Sequence, residues 1–219
     1  MLLALETATN VCSVAFKDAA GEVHEKRTNK RGSHSEKLFL FIEELMSEHP
    51  FRIGDLEALI ISEGPGSYTG LRIGASAVKG LLFQSRVPLY GVNTLRSFAR
   101  AAYSADGSLN RIHAVIDARR MHLYHQLYRV DGGRLHPEEE VKVRPLEQVA
   151  EMLQAGDGLI GTGIKRLPSE RTEQAAVFGE THISARSLIQ ICEEKDEQAA
   201  RPVPPEQFEP RYYTSNQVQ

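Results

Sequence analysis

The sequence has little cysteine, no long apolar run and no excess of positive charge. Cys12 and Cys192 are the two cysteines among 219 residues, and neither belongs to a CxxC pair. This spacing argues against a disulfide framework, a thioredoxin-like motif and a thiolate zinc site. No apolar segment approaches the roughly 20 residues that are needed to span a bilayer.

The first residues, "MLLALETATN", have neither the basic cluster nor the long apolar core of a signal peptide. We therefore expect a cytoplasmic protein with no membrane partner. The net charge of −3 is a poor basis for stand-alone nucleic-acid binding, which depends on neutralising phosphates. Two basic clusters could contact RNA, although solvated surface charge is the favoured interpretation: Lys26, Arg27, Lys30 and Arg31, and the pair Arg119 and Arg120.

The pattern of apolar residues predicts an antiparallel β-meander followed by a helix. "LLAL", "VCSVAF" and the residues from Glu22 to Thr28 are typical of three strands separated by polar turns. In "SHSEKLFLFIEELMSEH", Ser33 and Glu36 predict an N-terminal capping box. The apolar arc of this helix is wide enough to face a core on one side and another element on the other. Its members are Leu38, Phe39, Leu40, Phe41, Ile42, Leu45 and Met46.

A glycine-rich stretch, "SEGPGSYTGLRIGASAVKGLL", follows the buried strand "ALIIS". Its first half could cradle a phosphate, because backbone N–H groups at a strand-to-helix turn attract anions. From Thr69 onward it predicts a second helix whose glycines and small residues lie on one face. Each glycine costs about 0.5–1 kcal/mol relative to alanine inside a helix, so a close packing partner is expected. The small face consists of Gly70, Gly74, Ala77 and Val78.

The order of predicted elements repeats after the polar turn "SADGSLN". "RIHAVID" and "MHLYHQLYRV" predict a second hairpin, and alternating short strands and helices follow. The simplest architecture is a duplicated α/β protein with a mixed sheet and flanking helices in each lobe. We expect a first lobe at 1–104, a second at 105–198 and a proline-rich tail at 199–219 that returns to the first lobe.

Several motifs together resemble one protein family. "LALETATNVCSVA" and "AVIDARRMHLYHQLY" resemble the paired openings of the actin/Hsp70/sugar-kinase superfamily (ASKHA), whose lobes are ribonuclease H-like. With "HSEKL", "GPGSYTGLRIG", "VIDARR" and "PRYY", nearly the whole chain resembles the TsaB (YeaZ) family of tRNA threonylcarbamoyladenosine biosynthesis. The resemblance implies a two-lobe actin-like fold. It also implies a non-catalytic subunit that pairs with a TsaD-type paralogue and works with a TsaE-type ATPase.

In this family the two first-lobe helices pack against the matching helices of TsaD or of a second TsaB. The resemblance therefore implies a heterodimer, or a homodimer through the same helices, with tRNA reached only through the complex. TsaD transfers threonylcarbamoyl to the adenosine on the 3′ side of the anticodon. The expected interface comprises His34, Glu36, Leu38, Phe41, Leu45, Tyr68, Gly70, Leu71, Arg72, Gly74, Ala77, Val78 and Leu81.

The sequence offers no catalytic or metal-binding set. The two turns that would hold phosphates in active relatives read "ETATN" and "DARR" and lack glycine. His122 and His125 point to opposite faces of a predicted strand, and we expect the other histidines to be solvated or at helix ends. An actin-like ATPase or phosphotransferase with residual adenine-nucleotide binding stays an alternative, and a glycoprotease a weaker one; we expect no bound cofactor. The weak nucleotide-site candidates are Glu6, Thr7, Asp117, Gly161 and Gly163.

Overall fold

The computed structural model describes residues 1–196 and 198–213, which form two compact units. The first unit contains Met1–Ser97 and Ser184–Arg211. The second contains Phe98–Ile183 together with Tyr212 and Tyr213. These ranges differ from the expected lobes, because the last helix and last strand of the chain pack within the first unit. No helix in the described part of the chain has the length and apolar character needed to cross a membrane.

The chain forms twelve strands and six α-helices in the described residues, with short 3-10 turns between them. The strands are β1 (Leu2–Glu6), β2 (Cys12–Lys17), β3 (Val23–Thr28), β4 (Ala58–Gly64), β5 (Leu89–Asn93), β6 (Arg111–Asp117), β7 (His122–Asp131), β8 (Arg134–Pro137), β9 (Lys142–Pro145), β10 (Gly158–Ile160), β11 (Ala176–Phe178) and β12 (Ala200–Val203). The helices are α1 (His34–Glu48), α2 (Tyr68–Leu81), α3 (Thr94–Ala105), α4 (Leu146–Met152), α5 (Ser169–Thr172) and α6 (Arg186–Glu193).

The first unit is a six-stranded mixed sheet in the order β12-β5-β4-β1-β2-β3. The meander β1–β3 is antiparallel as predicted, β4 and β5 join in parallel, and β12 closes the edge against β5. Alternate residues of each strand point to opposite faces. Leu3 and Leu5 therefore belong to the core beneath α1 and α2, whereas Ala4 belongs to the core beneath α6.

The second unit repeats this strand order. Its sheet runs β11-β10-β6-β7-β8, with β9 also paired to β7. An antiparallel hairpin, β6 and β7, is followed by β10 and β11 in parallel on the far side of β6, as β4 and β5 follow β1 in the first unit. The helix α4 covers one face through Leu146, Val149 and Ala150. The repetition supports the predicted duplication, although the sequence did not reveal β8 as a separate strand.

The C-terminal segment is held in the first unit by a buried carboxylate. Glu63 lies at the end of β4 and is 4% exposed. One carboxylate oxygen accepts a hydrogen bond from Arg201 at 2.8 Å, and the other forms an ion pair with the Arg211 guanidinium at 3.1 Å. The Glu63 carbonyl accepts the Arg211 amide at 2.7 Å. The residues up to Arg211 therefore belong to the first unit.

The predicted capping box of α1 is wrong. Ser33 is the N-cap residue, but its hydroxyl donates to the carbonyl of Lys30 at 2.7 Å instead of accepting an amide of the helix. Ser33 adopts a helical backbone conformation, with φ −90° and ψ −3°, whereas a capping residue usually has an extended backbone. Glu36 is consequently an exposed first-turn residue.

Candidate functional site

The residues expected to form a partner interface divide into a buried set and an exposed set. Glu36, Tyr68 and Arg72 are exposed, and Phe41 and Leu81 are half-buried. The remaining residues already pack inside the first unit: His34, Leu38, Leu45, Gly70, Leu71, Gly74, Ala77 and Val78. These residues are largely covered by the first unit itself, although Ala77 also lines an open groove on its surface, and their part in a partner interface stays a prediction.

The small face of α2 packs against the turn between β1 and β2. A Cβ atom on Gly70 would lie 2.1 Å from the carbonyl oxygen of Thr7, and one on Gly74 would lie 2.5 Å from the Thr7 hydroxyl. Real Cβ atoms do not approach that closely, so both positions require glycine. The close packing partner of both glycines is therefore the chain's own turn, and the expectation of a partner helix on this face stays a prediction.

The same contacts occupy the start of α2, where a phosphate would otherwise bind. The amide of Ser67 donates to the carbonyl of Ala8 at 2.6 Å, and the Ser67 hydroxyl accepts the Gly70 amide at 3.3 Å. A Cβ atom on Gly66 would lie 2.3 Å from the Ala8 carbonyl oxygen. The glycine-rich loop thus packs on the chain's own "ETATN" turn, and the amides of Ser67 and Gly70 already have acceptors within the chain.

His34 anchors the start of α1 to that turn. It is 6% exposed, and its Nε2 lies 3.2 Å from the carbonyl oxygen of Val11. Burial lowers the pKa of His34, so the ring is neutral and donates its N–H to this carbonyl. His34 of the "HSEKL" motif therefore makes a structural contact.

An open groove lies between α1 and α2 on the outer side of the first unit. It has a volume of about 400 Å³ and is lined by Ser35, Phe39, Tyr68, Thr69, Arg72, Ile73, Ser76 and Ala77. Phe39 is 46% exposed and Tyr68 is 55% exposed, although other large apolar residues of α1, such as Leu38 and Leu45, are fully buried. We refer to these eight residues as the α1–α2 groove.

The α1–α2 groove has the composition of a protein-binding surface. Aromatic residues and arginine are enriched at the centres of such interfaces, and large exposed apolar side chains on a folded domain mark interaction sites. The guanidinium of Arg72 stacks over the Tyr68 ring at 4.0 Å from its centroid, which orients both side chains on the rim. Hydroxyl groups of Ser35, Thr69 and Ser76 surround the apolar centre.

Sequence reasoning included Tyr68, Arg72 and Ala77 of the α1–α2 groove but missed Phe39 and Ile73 as site residues. The available signal was the phase of Phe39, which follows the buried Leu38 and so falls outside the core stripe of α1. An apolar side chain that extends the arc beyond the core stripe is the better candidate for an external contact.

Two carboxylates at equivalent ends of β1 and β6 hold their own turns. Glu6 is fully buried, and its Oε1 accepts the amide of Ala8 at 2.7 Å. Asp117 accepts the amide of Arg119 at 2.8 Å and a guanidinium N–H of Arg166 at 2.7 Å. Both carboxylates therefore have the turn-forming role that the sequence favoured over catalysis.

Burial has a strong electrostatic effect on Glu6. It raises the pKa of this carboxyl from 4.5 to about 7, against the smaller opposing effect of the Ala8 N–H. Oε2 of Glu6 and the hydroxyl of Thr7 are buried without a hydrogen-bond partner. Neither side chain is placed to reach a ligand in solution.

The "GTG" turn packs tightly in the second unit. Gly161 has φ +124°, and a Cβ there would lie 2.0 Å from the carbonyl oxygen of Val115. A Cβ on Gly163 would lie 2.7 Å from the side chain of Leu123. Close packing against β6 and β7 explains both glycines without a nucleotide.

Sequence reasoning missed a buried histidine pair in the second unit. His113 Nδ1 lies 3.0 Å from His125 Nε2, and His113 Nε2 lies 3.0 Å from Asp157. Both rings are fully buried, so the expectation that His113 is solvated or at a helix end is wrong. His122 and His125 do lie on opposite faces of β7, as predicted. Within residues 1–196 and 198–213, no three His, Cys, Asp or Glu side chains are grouped to hold a metal ion.

The pairing of His113 and His125 could not be read from their spacing. They occupy neighbouring strands, where Val115 opposes His125 and His113 opposes Leu127, so the two rings meet diagonally. Burial lowers the pKa of both rings, and Asp157 partly opposes this effect at His113.

Known proteins match this chain over nearly its full length. The family model described as TsaD, tRNA N6-adenosine threonylcarbamoyltransferase, matches residues 24–206. The tRNA threonylcarbamoyladenosine biosynthesis protein TsaB of Escherichia coli is 31% identical over 98% of this chain and 95% of its own. TsaB of Haemophilus influenzae is 31% identical over 74% of this chain and 72% of its own.

A solved structure, YeaZ from Pseudomonas aeruginosa, superimposes with a TM-score of 0.82 at 28% identity, covering 97% of this chain and 99% of that one. With the repeated strand order, this likeness confirms the predicted two-lobe, actin-like α/β fold. The breadth and identity of the sequence matches establish that the chain belongs to the TsaB (YeaZ) family.

Proposed function

We propose that this protein is a non-catalytic, activating subunit in tRNA threonylcarbamoyladenosine biosynthesis. It binds a TsaD-type paralogue through the α1–α2 groove and, together with a TsaE-type ATPase, supports threonylcarbamoyl transfer to the adenosine 3′ of the anticodon. The observation that carries the proposal is the exposure of Phe39 and Tyr68 on the rim of this groove. The pathway comes from the names of the relatives.

The similarity to TsaD supports the choice of partner. The TsaD family model matches most of this chain, so a TsaD-type protein carries elements related to α1 and α2. Two related helix pairs can meet around an approximate twofold axis, in which each places aromatic side chains in the hollow of the other. A second copy of this chain could use the same surface, and the homodimer is then a competitor of the heterodimer.

The non-catalytic assignment is supported by how the chain uses its own polar groups. Glu6 is fully buried in the first unit, and Asp117 accepts hydrogen bonds from the Arg166 guanidinium and the Arg119 amide. The donors at the start of α2 that would suit a phosphate bind Ala8 and Ser67. No observation favours the alternative of an ATPase or phosphotransferase.

Reconstitution of the modification reaction tests this proposal. Purified TsaD-type and TsaE-type proteins from the same organism are incubated with tRNA and threonylcarbamoyl adenylate, with or without this chain. We expect multiple-turnover modification only when the chain is present. Unchanged product formation without the chain would contradict the proposal, and ATP hydrolysis by the chain alone would favour the phosphotransferase alternative.

A further inference from the structure

The turn between β6 and β7 is built from two arginines in a backbone conformation that disfavours them. Arg119 has φ +67° and Arg120 has φ +51°, so both lie in the left-handed region. Glycine and asparagine adopt this conformation far more readily, and a residue with a Cβ costs about 1–2 kcal/mol there. The hairpin needs this backbone shape, but nothing in the shape requires arginine.

The two arginine side chains are exposed and have no ion pair among the residues that the structure describes. The carboxylate at the base of the turn, Asp117, is already paired with Arg166 at 2.7 Å. A guanidinium N–H of Arg166 also donates to the carbonyl of Arg120, and this hydrogen bond stabilises the turn. The Arg166 guanidinium therefore satisfies this carboxylate, and Arg119 and Arg120 remain exposed.

Aromatic side chains lie next to this basic turn. Tyr124 lies two residues after the start of β7 at the end of the turn, and it pairs with Ile116 of β6. The Tyr124 hydroxyl donates to the carbonyl of Tyr213 at 3.2 Å, and the two rings meet edge to face with centroids 6.4 Å apart. Tyr212, the preceding residue, is 40% exposed.

We propose that the Arg119–Arg120 turn, with the adjacent tyrosines, binds the phosphate backbone of RNA directly. Guanidinium groups pair with phosphates in a bidentate manner, and aromatic rings next to them stack on unpaired bases. Arginines and tyrosines would also suit an acidic protein surface, which is therefore an outcome of the test below; RNA is the occupant proposed because the relatives are named for a tRNA modification pathway. The choice of tRNA as that RNA rests on the proposed function.

The contact departs from our expectation that tRNA is reached only through the complex. Because the whole chain carries a net charge of −3, its remaining surface does not attract RNA, and the turn contributes a small number of phosphate contacts. A local contact of this kind orients an RNA that is bound mainly elsewhere. The arginines thus lower the stability of the turn but supply the side chains that contact RNA.

The test replaces both arginines with the residues that the turn prefers, Arg119→Asn with Arg120→Gly. Binding of a fluorescent unmodified tRNA transcript to the full chain is measured by anisotropy between 50 and 200 mM salt. We expect the variant to bind about tenfold more weakly at the lowest salt and the slope of log affinity against log salt to fall by about 2. Its thermal stability should rise, because the strained arginines are gone.

The control is the double variant Arg86→Gln with Arg134→Gln. It removes the same charge from exposed positions, and Arg134 pairs with the opposite end of β7, roughly 30 Å from the turn. This variant should bind tRNA as the unmodified chain does. Equal affinity and equal salt slopes for all three proteins would overturn the proposal, as would the absence of tRNA binding by the unmodified chain.

Capture of the TsaD-type protein by each variant separates this proposal from the proposed function. The turn variant should still form the complex, because the α1–α2 groove is intact. If the turn variant loses the TsaD-type protein but keeps its tRNA affinity, the arginines bind an acidic protein surface, and the RNA proposal fails. If no variant captures the partner but the turn variant alone loses tRNA affinity, the RNA proposal stands and the proposed function fails.

Discussion

The carbonyl oxygen of Thr7 lies 2.1 Å from the position that a Cβ atom on Gly70 would occupy. This contact joins the start of α2 to the turn after β1, at the point where a phosphate-binding member of the superfamily needs open backbone donors. The glycine-rich stretch is therefore explained by internal packing. It places α2 so that the opposite side of the helix, with Tyr68 and Arg72, faces solvent.

Replacing Gly70 with alanine should destabilise the protein by about 1–3 kcal/mol, because the new methyl group overlaps a backbone oxygen that cannot move freely. Gly80 is the matched control, since a Cβ there meets nothing within 4 Å. Gly80→Ala should leave stability unchanged or raise it by up to about 1 kcal/mol. Urea unfolding of the two variants measures both effects. Equal effects of the two changes would contradict the packing account.

Replacing Glu6 with glutamine should alter the dependence of stability on pH. Burial raises the pKa of Glu6 to about 7 in the folded protein, against 4.5 for the unperturbed group. The folded state therefore holds a proton that the unfolded chain has lost, and stability falls as pH rises from about 4.5 to 7. The stability of Glu6→Gln relative to the unmodified protein should grow by up to about 3 kcal/mol over this range.

Chemical unfolding at half-unit intervals from pH 4.5 to 8 measures this difference. Glu209→Gln is a suitable control, because Glu209 is fully accessible and its carboxylate pairs with Lys79 on the surface. Parallel pH profiles for the unmodified protein and Glu6→Gln would show that Glu6 ionises normally and would contradict the sealed environment described for it.

The buried pair His113 and His125 should change the stability of the protein with pH in the opposite direction to Glu6. Burial lowers the pKa of His113 and His125 below 6.5. As pH falls, these histidines therefore become protonated in the unfolded chain before they do so in the folded protein. This contribution is complete above pH 6.5 and is lost as pH falls below it. In a Glu6→Gln background, stability should decline toward pH 5, and adding His125→Gln should flatten the decline.

The exposed His136 offers the control for that experiment. His136→Gln in the same background should keep the full decline toward pH 5. If His125→Gln and His136→Gln leave the same slope, the acid sensitivity comes from other groups, and the buried pair does not titrate as inferred.

Local patterns predicted much of the fold. Alternation of apolar residues located β1, β2 and β3, and helical spacing located α1 and α2, because these signals depend only on neighbours in sequence. The contacts of β12 and α6 with the first unit were harder to predict, since they join residues far apart in the chain. Only the "PRYY" motif in the proline-rich tail suggested a return to the first lobe.

In the candidate site, too, the contacts between residues far apart in the chain could not be predicted from the sequence. The spacing of Gly70 and Gly74 indicated a closely packed face, but periodicity cannot say whether that face meets the chain's own turn or another protein. His113 and His125 meet because β6 and β7 pair in one register, and a shift of one residue would separate them. Patterns therefore identified the elements, whereas strand register and nonlocal packing determined which residues remain exposed.

The central claim is that the α1–α2 groove binds a TsaD-type partner, and its most direct test is the affinity of that partner for two matched variants. Phe39→Glu places a charge in the groove, and Phe83→Glu places the same charge on a side chain that is 76% exposed and does not line it. Both variants should fold, as circular dichroism will verify.

We expect Phe39→Glu to weaken binding of the TsaD-type partner at least about tenfold in isothermal titration. This corresponds to a loss of about 1.4 kcal/mol or more in binding free energy. Phe83→Glu should bind as the unmodified chain does. Equal affinities for Phe39→Glu, Phe83→Glu and the unmodified chain would contradict the account.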